Sequence, residues 1–192
     1  VRNTAAVGPG TSVAVLGCGG VGLAAIQAAR ALGADPILAI DLDPAKTALA
    51  SRLGATHAID PATGVIDAVR RVCPLGVQVA IEAIGRTDTV EMAWEMLRPG
   101  GTAVVIGMPA ARERVSLRMG GFFQARRVVG CVYGDADPRR DIPALIALVQ
   151  SGAFDLDALV SDEIPLARAA EALDRLATGA GVRHVVVCGG ER

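Results

Sequence analysis

The sequence predicts an α/β fold with a parallel, doubly wound sheet, and three observations support this prediction. Short apolar runs, such as Val13–Leu16, have the length of strands that are buried on both faces. These runs alternate with longer segments of helical spacing, beginning with residues 20–33. Glycine and proline residues punctuate the alternation, as at Gly54. Strands and helices that alternate in this way place helices on both faces of one sheet.

The predicted elements follow the chain in order. Strands are expected at residues 13–16, 36–40, 55–59, 77–81, 101–106, 127–133 and 182–187, and helices at residues 20–33, 44–53, 64–72, 87–97, 142–150 and 165–178. Val115 and Leu117 suggest a further edge strand. Acidic turns follow Gly134, so a domain boundary is expected there, between residues 1–134 and 135–192. The second part holds too little apolar material to form an independent domain.

Composition and charge exclude several classes of function. The 192 residues are 52% hydrophobic but only 3% aromatic, so the core is expected to consist of Ala, Val, Leu and Ile. The net charge is −1, from 19 basic and 20 acidic residues, which predicts neither a nucleic-acid partner nor an acidic membrane surface. The sequence shows no long apolar span and no leader pattern at its start, which predicts a cytoplasmic protein.

A glycine-rich turn follows the first strand directly. Gly17, Gly19 and Gly22 have the spacing G-x-G-x-x-G, in which the first glycine permits a tight turn. The second lets a pyrophosphate approach the backbone, and the third lets the helix pack on the strand. The helix that begins at Gly20 would point its free amide groups at the phosphates. The pattern predicts dinucleotide binding, although the motif alone is a weak signal.

An acidic residue strengthens this prediction. Asp41 ends the second strand and follows Gly22 by 19 residues, where the fingerprint requires an acid that accepts hydrogen bonds from the adenosine ribose. The alternative is that Asp41 and Asp43 only cap the helix that Pro44 begins, and Asp43 suits that cap better.

The cysteines and histidines indicate structural roles. Four cysteines are scattered along the chain with no C-x-x-C pair, and His57 and His184 lie at the edges of predicted strands. No catalytic residue and no metal ligand is therefore expected in this chain.

The motifs together resemble the C-terminal, cofactor-binding part of the zinc-dependent medium-chain alcohol dehydrogenases. The resemblance extends over almost the whole chain and is carried by residues 7–22, 41–46, 53–56, 82–86, 106–109, 133–134, 156–160 and 182–186. It is closest to the branch of alcohol dehydrogenases and thiol-linked formaldehyde dehydrogenases. The resemblance implies a Rossmann domain that binds NAD, followed by a return segment.

The resemblance also implies a role for individual residues. Gly20 and Val21 would donate backbone amides to the pyrophosphate, Asp41 would bind the adenosine ribose, and Lys46 would lie beside that ribose. The remaining implied contacts are Ile84 and Arg86 on the adenosine half, Ile106, Met108, Cys131 and Tyr133 on the nicotinamide half, and Arg183 at the pyrophosphate. Five of these residues also have a simpler interpretation. Lys46 and Arg86 would be surface charges, Met108 and Tyr133 would be core or rim residues, and Arg183 would be a charge at the end of a strand.

The catalytic zinc ligands of the resembled family lie in an N-terminal domain that this sequence does not contain. The resemblance therefore implies that residues 135–192 would pack on that absent domain and that this chain alone does not oxidise alcohols. It also implies a small-molecule alcohol or aldehyde substrate for the full enzyme, and a homodimer formed through the edge at Val115 and Leu117.

Three other functions remain open at this stage. A zinc-independent quinone reductase relative would share the same cofactor domain. An S-adenosylmethionine methyltransferase would share the turn at residues 96–101, but that class usually has an acid where this chain has Leu16. A non-catalytic nucleotide-binding module would bind NAD without any catalytic domain.

Overall fold

The computed structural model describes residues 1–188 and contains a parallel six-stranded sheet. Its strands are β1 (Val13–Leu16), β2 (Ile37–Ile40), β3 (His57–Ile59), β4 (Val77–Glu82), β5 (Leu97–Val105) and β6 (Arg127–Gly130). Their order across the sheet is β3-β2-β1-β4-β5-β6, and every neighbouring pair is parallel. The doubly wound α/β fold predicted from the sequence is therefore confirmed.

Helices lie between these strands and after β6. They are α1 (Gly20–Ala31), α2 (Pro44–Leu53), α3 (Val65–Val72), α4 (Thr87–Glu95), α5 (Gly120–Phe123) and α6 (Pro138–Gln150). The bounds of α2 match the prediction because its ends are marked locally: the Asp43 side chain accepts a hydrogen bond from the Ala45 amide, and Gly54 follows with a φ of 126°. Within residues 1–188, no helix is long and apolar enough to cross a membrane.

The central strands form the core. All four residues of β1 and all four of β2 are buried, and aliphatic side chains dominate the buried set, as the composition predicted. From β1 the chain winds outward through β2 and β3, and it then returns to place β4 on the other side of β1. This reversal opens a crevice at the carboxyl ends of β1 and β4, where ligands bind in folds of this type.

The first compact unit comprises Val1–Phe154, so α6 belongs to it. A contact that is distant in sequence joins its start to α6: Asn3 Nδ2 donates to the buried carboxylate of Asp141, at 3.0 Å. The domain boundary expected near Gly134 stays a prediction. The expectation that the remaining segment packs on a further domain stays a prediction.

The second unit begins at Asp155. It contains the parallel pair β7 (Asp162–Pro165) and β8 (His184–Val187), joined by α7 (Ala169–Ala177). The Asp162 carboxylate joins the elements of this unit, because it accepts from Arg175 at 2.6 Å and is hydrogen-bonded to His184 Nδ1. These partners hold the pKa of Asp162 below its ordinary value.

The predicted edge strand at Val115 and Leu117 is wrong. No strand forms there, because Leu117 packs against the core and the Ser116 amide donates to Glu91 Oε1 at 2.7 Å. At this side the described part of the sheet ends with β6. The homodimer inferred from that edge stays a prediction.

Candidate functional site

The strand register brings the predicted cofactor turns to one edge of the sheet. Leu16 pairs with Ile40 on β2 and with Glu82 on β4, and Glu82 pairs in turn with Val105 on β5. Val105 pairs with Gly130 on β6. The residues that follow these positions begin the turns that contain Gly17, Asp41, Ile84, Ile106 and Cys131.

The glycines of the first turn differ in what surrounds them. Gly17 has a φ of +91°, which disfavours any other residue. A Cβ atom on Gly22 would lie 1.7 Å from the Gly17 carbonyl oxygen, so α1 and the turn are in backbone contact. A Cβ atom on Gly19 would meet nothing within 4 Å. The second glycine therefore borders open space, where the fingerprint places the pyrophosphate.

The N-terminus of α1 adjoins this open space. The amide of Leu23 donates to the Gly19 carbonyl at 2.9 Å and begins the hydrogen-bonding pattern of the helix. The amides of Gly20 and Val21 precede that bond, no acidic residue lies in the first turn, and the Gly19 cap offers no side chain. Such an end carries partial positive charge and suits an anion.

Asp41 is fixed by the backbone around it. Its Oδ2 accepts from the Cys18 amide at 2.7 Å and its Oδ1 accepts from the Asp43 amide at 2.9 Å. Asp43, and not Asp41, caps α2, as its position directly before Pro44 suggested. A carboxylate has about four lone-pair positions, so two remain for hydroxyl groups of a ligand. Lys46 lies half-buried on the first turn of α2, a few residues after Asp41.

Cys18 lies within the glycine turn and is buried. Burial and the neighbouring Asp41 carboxylate raise the pKa of its thiol to about 12, so it is protonated at neutral pH.

We therefore expect iodoacetamide at pH 8 to label the exposed Cys188 and to leave Cys18 unmodified in the folded protein. Mass spectrometry of tryptic peptides measures this, and denatured protein, in which both peptides are labelled, is the control. Labelling of Cys18 at the rate of Cys188 would contradict the buried position of this turn.

The turn after β4 places Ile84 and Arg86 at the sheet edge. Ile84 is 44% exposed, which leaves it available to a ligand. Arg86 forms a bidentate pair with Asp88, with both N–O distances at 2.9 Å, and this pair raises the pKa of the guanidinium. Beside the turn lies an open cleft of about 440 Å³. Its lining comprises Gly85, Arg86, Thr87, Asp88, Ala110 and Glu113.

The turns after β5 and β6 contain the residues assigned to the nicotinamide half. Met108 is 92% exposed and Tyr133 is 96% exposed, whereas Ile106 is half-buried and Cys131 is buried. Neither Met108 nor Tyr133 is a core residue, so the simpler interpretation for both is that of a rim residue. An exposed Tyr ring and an exposed Met side chain provide apolar surface at this edge, as a nicotinamide ring would require.

Arg183 belongs to the second unit. Its side chain is exposed, and its backbone amide donates to Ser161 Oγ at 3.3 Å. Its assignment to the pyrophosphate stays a prediction.

The two histidines have different surroundings. His57 lies on β3 and is hydrogen-bonded to Thr56 at 2.8 Å, while His184 is hydrogen-bonded to Asp162. Among residues 1–188, no three His, Cys, Asp or Glu side chains lie together as a metal site.

One residue of this edge has no role predicted from the sequence. Glu82, the last residue of β4, is fully buried, and its carboxylate accepts hydrogen bonds from the turn that follows it. The signal present in the sequence was an acid that directly follows the apolar run of residues 79–81 and precedes a glycine by three positions. That pattern is also typical of an exposed acid at the end of a strand.

The fold and the glycine turn together define a Rossmann-type nucleotide-binding domain. The chain belongs to the zinc-binding dehydrogenase family, whose sequence model matches residues 20–151. This membership supports the cofactor-binding part of a dehydrogenase over a methyltransferase.

Individual relatives agree with this assignment. The chain is 34% identical over 190 residues to S-(hydroxymethyl)glutathione dehydrogenase from Synechocystis sp., an alignment that covers 97% of this chain and 52% of the relative. The alcohol dehydrogenase zinc-binding domain protein from Burkholderia ambifaria superposes with a TM-score of 0.95 at 33% identity, covering 99% of this chain and 52% of that one. A zinc-binding dehydrogenase from Sinorhizobium meliloti 1021, bound to NADP, superposes with a TM-score of 0.83 at 31% identity. That match covers 96% of this chain and 54% of the Sinorhizobium chain. The chain thus spans about half the length of these relatives.

Proposed function

We propose that this chain is the NAD-binding part of a zinc-dependent dehydrogenase that transfers hydride between NAD and an alcohol or a thiol-aldehyde adduct. The observation that carries the proposal is the pairing of an open glycine turn with a fixed carboxylate: Gly19 borders open space, and Asp41 is held against the same turn by the Cys18 amide at 2.7 Å. Family membership and the hydroxymethylglutathione relative support the dehydrogenase assignment.

In the proposed complex, the pyrophosphate lies against the turn and the N-terminus of α1, where it meets the amides of Gly20 and Val21. Asp41 accepts hydrogen bonds from the adenosine ribose, and Lys46 lies beside that ribose. The remaining contacts are Ile84 and Arg86 on the adenosine half, Ile106, Met108, Cys131 and Tyr133 on the nicotinamide half, and Arg183 at the pyrophosphate. When bound, the nicotinamide supplies the hydride acceptor, and the chain supplies its binding and orientation.

The substrate oxygen requires a positive group as hydride leaves the carbon, and we propose that this group is a zinc ion held outside this chain. The described residues offer no cluster of ligands for it. By this proposal, the chain binds NAD but does not oxidise alcohols without the part of the enzyme that holds the metal. Removing one such electrostatic stabiliser typically costs about 3 to 4 kcal/mol of activation free energy.

We expect the protein to bind NAD more tightly than NADP. The Asp41 carboxylate can accept from both ribose hydroxyls, but it repels a 2′-phosphate. The NADP-bound relative shows that the fold itself accommodates that phosphate, so Asp41 is expected to decide the preference here. Calorimetric titration with each cofactor measures the difference, and Asp41→Ser should reduce it by about 1 to 2 kcal/mol. Equal affinities in the wild-type protein would remove Asp41 from this role.

A further inference from the structure

Glu82 is buried at the end of β4 with a one-sided set of hydrogen bonds. Its side chain has no exposed surface, and its Oε1 accepts from the amides of Ile84 at 2.9 Å and Gly85 at 2.8 Å, and from Thr89 Oγ1 at 2.8 Å. Its Oε2 is equally buried and has no hydrogen-bond partner among residues 1–188. All the bonds of this carboxylate therefore go to the turn after β4 and the first turn of α4.

The main chain of the same residue holds the neighbouring turn. The Glu82 carbonyl accepts from the amides of Ile106 at 2.8 Å and Gly107 at 3.1 Å, both of which follow β5. The two turns are in backbone contact, because a Cβ atom on Gly107 would lie 2.0 Å from the Gly85 nitrogen. Glu82 thus holds the β4 turn through its side chain and the β5 turn through its carbonyl.

Stability alone is a poor explanation for this carboxylate. Burial of a carboxylate with one oxygen unpaired costs free energy, and apolar residues fill such positions at no such cost. What the carboxylate provides is directional: three donors converge on one oxygen, which fixes the backbone of Ile84 and Gly85. A loop at a ligand site needs this kind of support to keep its geometry.

We propose that Glu82 is a positioning residue for the adenosine half of the cofactor site, acting through the β4 turn that presents Ile84 and Arg86. The proposal rests on the proposed function, since it requires NAD at this edge of the sheet. The β5 turn is held by the carbonyl, which any side-chain substitution at this position leaves in place. Loss of the carboxylate should therefore weaken contacts to the adenosine half and leave those to the nicotinamide half unchanged.

The test compares E82L and E82Q in the full-length protein, with ADP-ribose and NAD as ligands and calorimetry as the readout. E82L removes the acceptor of three donors, and we expect ADP-ribose and NAD to bind about tenfold more weakly, by the same factor for both. E82Q keeps an amide oxygen as the acceptor, so its affinities should stay within about threefold of wild type. V90A, a truncation of a buried residue of α4, is the control for destabilisation alone and should leave both affinities unchanged.

A second pair of variants covers the case in which E82L does not fold. T89V removes the hydroxyl that lies 2.8 Å from Glu82 Oε1 and 3.0 Å from the Arg86 carbonyl, and it should weaken ADP-ribose binding roughly threefold. T89S keeps the hydroxyl and should bind as the wild type does. Three results would each overturn the role of Glu82. The first is wild-type affinity in E82L or T89V, and the second is a loss of affinity for NAD but not for ADP-ribose. The third is an E82Q variant that binds as weakly as E82L. If the wild-type protein binds neither ligand, the proposed function fails, and this role fails with it.

Discussion

Gly22→Ala is expected to lower the free energy of unfolding by about 3 kcal/mol, the upper end of the usual range for forced overpacking. The added methyl group would lie 1.7 Å from the oxygen and 2.9 Å from the carbon of the Gly17 carbonyl. Both atoms belong to the backbone of the glycine turn, so no side chain can rotate away. Relief requires α1 to move off the sheet, which would also open the site at its N-terminus.

Urea denaturation followed by circular dichroism measures this loss. Gly120→Ala is a suitable control, because a Cβ atom there would meet nothing within 4 Å. Its free energy of unfolding should stay within about 0.5 kcal/mol of the wild-type value, as is usual for surface substitutions. If Gly22→Ala were as stable as this control, α1 and the turn would not be in the contact described.

Trp94→Ala is expected to cost about 4 kcal/mol of the free energy of unfolding, within the range for the loss of a large buried aromatic side chain. Trp94 is 1% exposed, and its ring lies 4.6 Å from that of Phe122, centroid to centroid. A Cβ atom on Gly121 would lie 2.4 Å from the indole. The indole thus joins α4 to α5, and its removal leaves a cavity that the surrounding elements cannot fill.

Trp94→Phe separates packing from hydrogen bonding. The indole nitrogen is buried and has no hydrogen-bond partner among residues 1–188, so phenylalanine loses volume but no hydrogen bond. It should cost less than half as much as alanine. Circular dichroism is the appropriate readout, because Trp94 is the single tryptophan of the chain and both variants remove its fluorescence. If the two variants lost the same free energy of unfolding, the indole nitrogen would have to form a hydrogen bond that is absent from the structure described.

The central elements could be predicted from the sequence because their signals are local. Strand β1 is a short apolar run that a glycine ends, and α2 begins with an Asp43 cap followed by Pro44. The glycine turn needs particular residues at fixed spacing, and such patterns are read directly from a chain. The bounds of β1 and α2 therefore match their predictions.

The errors lie where distant contacts decide the structure. Alternation at Val115 and Leu117 resembles a strand, but Ser116 bonds to α4 through Glu91, 25 positions earlier in the chain. The bond from Asn3 to α6, which spans 138 positions, could not be predicted from the sequence either. Neither pairing leaves a local signature in the residues concerned.

The candidate site was only partly accessible to sequence reasoning. Asp41 could be proposed from the sequence because the fingerprint fixes both its type and its distance from the glycines. The hydrogen bonds that hold it, and the convergence of three donors on Glu82, depend on where the turns fold back in space. A buried acid and an exposed acid at the end of a strand are identical in sequence, so burial alone distinguished Glu82.

Calorimetric titration of NAD into wild-type protein and Gly19→Ala tests most directly whether the glycine turn binds a dinucleotide. A methyl group at Gly19 meets nothing within 4 Å and Gly19 has a φ of −77°, so the variant should melt as the wild type does. Because that methyl group would occupy the space assigned to the pyrophosphate, NAD should bind at least about tenfold more weakly, a loss of about 1.4 kcal/mol. NAD binding to wild type, with this loss in a stable Gly19→Ala variant, is the predicted result. A wild-type protein that does not bind NAD, or a Gly19→Ala variant that binds it with unchanged affinity, would contradict dinucleotide binding at this turn.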